Sequence, residues 1–145
     1  MRAVRFLILV LTAMAALSAA IPVTPRSELH ARLKALWGSV PSDAIPTADF
    51  VIAKGSLPPH YITKSQARKL GWNPGSDLSK VAPGKMIGGD VFGNREGALP
   101  AARGRRYHEA DIGYRSGRRN AMRMVWSTDG LVFFTDHYNQ WVRVK

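Results

Sequence analysis

At about residue 86 the apolar pattern changes period, from the three-and-four spacing of helices to the alternation of strands. Upstream, Leu29, Leu33, Leu36 and Trp37 form one helical stripe, with Ser27 as its expected N-cap. Thr47 is expected to cap a second helix containing Phe50, Val51 and Ile52, closed by Gly55 and Pro58. A third is predicted over Lys64 to Leu70, capped by Thr63 or Ser65 and stopped by Gly71. Trp72 to Gly84, rich in Pro and Gly, reads as turns. Downstream, strands are predicted at Met86–Phe92, Tyr107–Tyr114, Arg119–Ser127, Leu131–Asp136 and Trp141–Val144. Gly88-Gly89-Asp90 suggests a bulge or a close backbone approach in the first of these, and Gly93 to Gly104 is a loop. Asp129-Gly130 signals a tight hairpin between two of the others. Helices first and antiparallel strands after give an α+β domain.

The N-terminus has a different character. Arg2 and Arg5 precede an apolar run, Phe6 to Leu17, that ends in Ser18-Ala19-Ala20. Residues 1–20 therefore read as a secretory signal peptide, and the mature protein as extracellular. The run is short for a membrane span of roughly 20 residues. Residues 21–46, punctuated by Pro22, Pro25, Pro41 and Pro46, read as a propeptide or an N-terminal extension carrying a docked helix. The domain proper is expected over 47–145. Cysteine is absent, so an exported chain must rely on packing, and thiolate catalysis is excluded.

Charge narrows the partner. The chain carries a formal net charge of +11, falling to +9 once Arg2 and Arg5 are removed. A small basic exported domain suits a polyanion, with nucleic acid ahead of a membrane surface. No His or acidic cluster has metal-ligand spacing, so neither metal nor cofactor is expected.

Alternation then gathers the chemistry. Tyr107, Glu109 and Asp111 share one face of their strand, and Arg119 and Arg123 share one face of the next. By pattern alone this is a solvated charged face stitched by cross-strand ion pairs. With His137 added, it is also the minimum set for metal-free phosphoryl transfer on RNA. A carboxylate takes a proton, an imidazole gives one, and guanidiniums hold the phosphate charge.

A series of short strings decides between these. They are Tyr61-Ile62-Thr63-Lys64-Ser65, Leu70-Gly71-Trp72, Val81-Ala82-Pro83-Gly84-Lys85 and Ile87-Gly88-Gly89-Asp90. Asn94-Arg95-Glu96-Gly97, Glu109-Ala110-Asp111-Ile112, Ser116-Gly117, Arg119-Asn120 and Asp136-His137-Tyr138 follow in order. From about Ala48 to the C-terminus the chain resembles the barnase-like family of bacterial guanyl-preferring ribonucleases. The resemblance implies the microbial ribonuclease fold and a secreted, metal-independent endoribonuclease. Such an enzyme cleaves single-stranded RNA 3′ of guanosine through a 2′,3′-cyclic phosphate.

By the same resemblance Glu109 is the general base and His137 the general acid, with Arg119, Arg123 and Lys64 stabilising the transition-state charge. Guanine would be read by Asn94, Arg95 and Glu96, with Phe92 and Tyr138 as aromatic platforms. Asp111 would orient the arginines, and Asp90 would support the site from behind. A monomer is expected, with an acidic inhibitor of the barstar type as a second partner. Gly93, Arg118 and Ala121 depart from the family pattern and bear on the strength of guanine preference. One residue is also missing ahead of Asp136-His137. The competing reading is a non-catalytic basic RNA-binding module.

Overall fold

The computed structural model describes residues 20–145, so the signal-peptide reading lies outside the described residues except for Ala20. Three α-helices lie in the N-terminal half of the chain: α1 (Arg26–Trp37), α2 (Ala44–Lys54) and α3 (Lys64–Lys69). Six strands form one sheet in the order β1 (Tyr61–Ile62), β2 (Met86–Phe92), β3 (Tyr107–Asp111), β4 (Met122–Ser127), β5 (Val132–Asp136) and β6 (Gln140–Arg143). Every pairing is antiparallel except β1 with β2. The fold is α+β, as the change of period predicts.

Helix starts differ from those expected. Pro25, not Ser27, occupies the N-cap of α1, and Ser27 lies inside the first turn. Helix α2 begins at Ala44, three residues before Thr47, and buries Thr47 instead of using it as a cap. Pro46, read as a break, sits in that first turn, where its missing N–H has no helical partner to lose. Thr63 caps α3 as expected, through a reciprocal box: its hydroxyl accepts from Gln66 N–H while the Gln66 side chain accepts from Thr63 N–H. Strand β1 was not foreseen. Two residues are too few to show a period.

A bulge in β2 sets the register that matters. Gly88 pairs with Ala110, but Asp90 pairs with Glu109, so Gly89 is the extra residue. Gly89 has φ +103°, which an L side chain rarely adopts. Gly88 is crowded instead: a Cβ there would lie 2.6 Å from Tyr61 Cδ1 and 2.9 Å from Ala110 Cβ. The hairpin at Asp129-Gly130 forms, with Gly130 N–H donating to the Ser127 carbonyl at 3.1 Å.

The sheet is covered on both faces, which corrects the expected solvated charged face. Leu29, Leu33, Ala48, Val51, Ile87, Ile112, Met124, Trp126 and Phe134 belong to the main core, between helices and sheet. Leu99, Tyr107, Val125 and Phe133 form a second cluster, flanked by Phe92, Leu131, Tyr138 and Trp141. Val125 and Phe133 are fully buried, and each such side chain contributes about 1.5–3 kcal/mol. Asp111 shares its face with Tyr107, and Arg123 with Val125, so both are buried with this cluster.

Candidate active site

Strand β3 delivers the carboxylates. Glu109 Oε2 accepts a 2.5 Å hydrogen bond from the Tyr138 hydroxyl, and Oε1 lies 3.5 Å from Lys64 Nζ. Lys64 is the first residue of α3, and its backbone N–H donates to Asp90 Oδ2 at 3.0 Å. Asp90 thus ties the start of that helix to β2, directly opposite Glu109.

Asp111 holds both arginines. It is 1% exposed and accepts from Arg119 Nε at 2.8 Å and from an Arg119 terminal nitrogen at 2.6 Å. This is the two-pronged fit of guanidinium to carboxylate. Arg123, its cross-strand partner, places Nε 3.1 Å from Asp111 Oδ1. That contact is Coulombic, since its angle leaves Arg123 Nε without an aligned hydrogen bond. Arg123 is pinned instead by bonds from Nη1 to the carbonyls of Asn120 and Met122, at 2.6 and 2.9 Å. Arg119 approaches from the loop before β4, not from the strand expected over 119–127. Burial alone would lower the Arg119 pKa. The hydrogen bonds and charge of Asp111, with the charge of Glu109, raise it above its ordinary value.

The β5–β6 turn brings His137 and Tyr138. Both have positive φ, +46° and +65°, at a cost on the order of 1–3 kcal/mol each. Two bonds hold the turn: His137 N–H to the Ala121 carbonyl at 2.9 Å, and Asn139 N–H to the Asp136 carbonyl at 3.1 Å. The ring of Tyr138 lies flat on Phe92, with centroids 5.2 Å apart and planes 11° from parallel. The expected base platforms therefore stack on each other. Burial raises the Tyr138 pKa well above the usual phenol value. The Glu109 bond and charge raise it further, against the opposing pull of Arg123 and Arg119.

A cleft of about 560 Å³ opens over Glu109 and Lys64 and runs along the loop after β2. Phe92, Asn94, Arg95, Glu96 and Tyr138 line it, as the sequence places them. Trp141 also lines it and was missed; its place in the last predicted strand gave no chemical signal. Arg119, Arg123 and His137 stand outside the lining, with the exposed His137 ring 6.0 Å from that of Tyr138. Tyr138 is thus the residue that touches the carboxylate and neighbours the imidazole.

The loop itself is closed by Asn94, whose side chain donates to the Leu99 carbonyl at 2.8 Å and accepts from Leu99 N–H at 3.0 Å. Among the described residues, neither the Asn94 nor the Arg95 amide N–H makes a hydrogen bond. Glu96 beside them is exposed. Arg95 folds back over Gly93, where an added Cβ would come within 3.4 Å of Arg95 Cγ.

Known proteins match this part of the chain. The profile of the ribonuclease family covers residues 46–145. The ribonuclease of Heyndrickxia coagulans is 56% identical over 100 residues, which is 68% of this chain and 92% of that protein. The ribonucleases of Bacillus intermedius and Bacillus pumilus are also 56% identical over 100 residues, spanning 62% of their own length. With the motifs in order and the α+β fold beneath them, the chain belongs to the barnase-like family of bacterial ribonucleases.

Proposed function

We propose that the chain cleaves single-stranded RNA on the 3′ side of guanosine by metal-independent transphosphorylation. One observation carries the reading. The Glu109 carboxylate, between Lys64 Nζ at 3.5 Å and the Tyr138 hydroxyl at 2.5 Å, opens into the same cleft as Asn94, Arg95 and Glu96.

Glu109 accepts the proton of the ribose 2′-hydroxyl as that oxygen bonds to phosphorus. The two partners leave the carboxylate spare lone pairs for this hydroxyl. The bond from phosphorus to the 5′-oxygen breaks, and His137 donates the proton that the departing oxygen takes. Each proton transfer contributes about 10²–10⁴-fold to rate. Arg119 and Arg123, held by Asp111, offset the extra negative charge of the five-coordinate phosphorus, with Lys64 on the other side.

Guanine suits the loop for a donor–acceptor reason. The unbonded N–H groups of Asn94 and Arg95 match its O6, and the Glu96 carboxylate matches the adjacent N1–H and N2–H donors. Adenine offers no such pair. A base entering here displaces Tyr138 from Phe92 or stacks beside it, and such stacking is worth ~1–3 kcal/mol. Residues 1–20, with two arginines ahead of an apolar run and small residues after it, support export of the mature enzyme.

Assay of GpN against ApN dinucleotides tests the reading. Faster cleavage of GpN, unaffected by a chelator, with a cyclic phosphate product, is expected. Equal cleavage of DNA would rule out 2′-hydroxyl attack. Binding of RNA with no turnover would favour the non-catalytic module.

A further inference from the structure

The family match begins at residue 46, yet the chain ahead of it is built into the sheet. Val23 bridges Arg143 in parallel, and Thr24 N–H donates to the Arg143 carbonyl at 2.8 Å. Residues 23–24 thereby cover the edge that β6 would leave open. Arg143 reaches back to the Ile21 carbonyl at 3.4 Å, and Ile21 packs against the second cluster. Helix α1 sets Leu29 and Leu33 into the main core, at 1% and 0% exposure. The connector to α2 is seated too. A Cβ at Gly113 would lie 2.7 Å from Pro41 Cγ, and Asp43 Oδ2 accepts from Gly113 N–H at 3.0 Å. Leu29 and Leu33 thus belong to the domain's own core, Ile21 packs on the second cluster, and removing the segment would expose these contacts to water.

One contact of this segment bears on the chemistry. The Trp37 indole N–H donates to the Thr135 carbonyl at 3.1 Å, and its ring meets Phe134 edge-on at 5.3 Å. The Thr135 hydroxyl donates to the Gln140 carbonyl at 2.6 Å. Together these clamp the neck of the turn that holds His137 and Tyr138 in the left-handed region. Two consecutive residues in that region persist only when their surroundings over-determine them.

We propose that residues 20–43 are a permanent part of the catalytic domain, and that Trp37 is a positioning residue holding the His137–Tyr138 turn against Glu109. The catalytic half of this statement rests on the ribonuclease reading; the mechanical half does not.

The test is Trp37→Phe in the full chain, which keeps an aromatic ring on Phe134 and removes the N–H. Turnover of GpA is expected to fall about threefold to tenfold, the worth of one hydrogen bond, with KM within about twofold. Amide exchange at His137 and Asn139 is expected to quicken by a similar factor, while Glu109 and Met124 keep their protection. A folded Trp37→Phe protein with unchanged turnover and exchange would overturn the proposal. A chain lacking residues 20–43 provides the second arm. Failure to fold, or folding with faster exchange at His137 and Asn139, agrees; a stable and fully active truncated protein refutes it. Should the unmodified chain leave GpA intact, the ribonuclease reading fails, and the exchange data still judge the role of Trp37.

Discussion

The hydroxyl of Tyr138 donates to Glu109 Oε2 at 2.5 Å while its ring lies flat on Phe92, so one side chain ties the carboxylate to the end of β2. Tyr138→Phe keeps the stacking surface and deletes the donor. Turnover of GpA is expected to fall about tenfold, the scale of one hydrogen bond to a charged group, with guanine affinity little changed. Steady-state kinetics separate the two, and an unchanged kcat would mean the bond is incidental.

Asp111 is the counter-ion on which two cations depend. Asp111→Asn keeps the shape and leaves Arg119 and Arg123 half-paired beneath the site. Losing one partner of a buried pair costs about 3–5 kcal/mol. A urea midpoint well below that of the unmodified chain, with a large loss of turnover, is expected. Unchanged stability would show that solvent, not Asp111, balances the arginines.

Alkaline pH should unfold the protein early. Burial raises the phenol pKa values of Tyr61 and Tyr138, and the charges of Asp43 and Glu109 respectively raise them further. Burial also raises those of Tyr107 and Tyr114. Folded-state values above the unfolded value of about 10 mean that the unfolded chain loses its protons first. Each contribution is whole below pH ~10 and is lost as pH climbs toward the folded-state value. Thermal midpoints should therefore decline steeply from about pH 10 upward, less so in Tyr61→Phe. A midpoint flat through that range would contradict the assignment.

What the sequence disclosed was what local chemistry encodes. Thr63 with Gln66 three residues on, the Gly88-Gly89 bulge and the Asp129-Gly130 turn each announce a backbone shape within a few residues. The candidate site residues stood out because their strings kept order and spacing over about a hundred residues. Burial of the second face was not. Arg123 and Asp111 read as surface charges because nothing nearby tells that Val125, Phe133 and Leu99 close over that side. The start of α2 was missed because Pro46 marks a break in most contexts and is tolerated only in a first turn. Trp37 gave no hint at all. Its partner, Thr135, lies 98 residues away, and a single indole on an apolar stripe looks like packing.

The pairing of base and acid is tested most directly by Glu109→Gln and His137→Ala, each assayed on GpA under single-turnover conditions. Each should lower the cleavage rate by about 10²–10⁴-fold while dinucleotide affinity stays close to that of the unmodified chain. Either variant cleaving at the original rate would contradict the account, because the remaining groups would then suffice without that proton transfer.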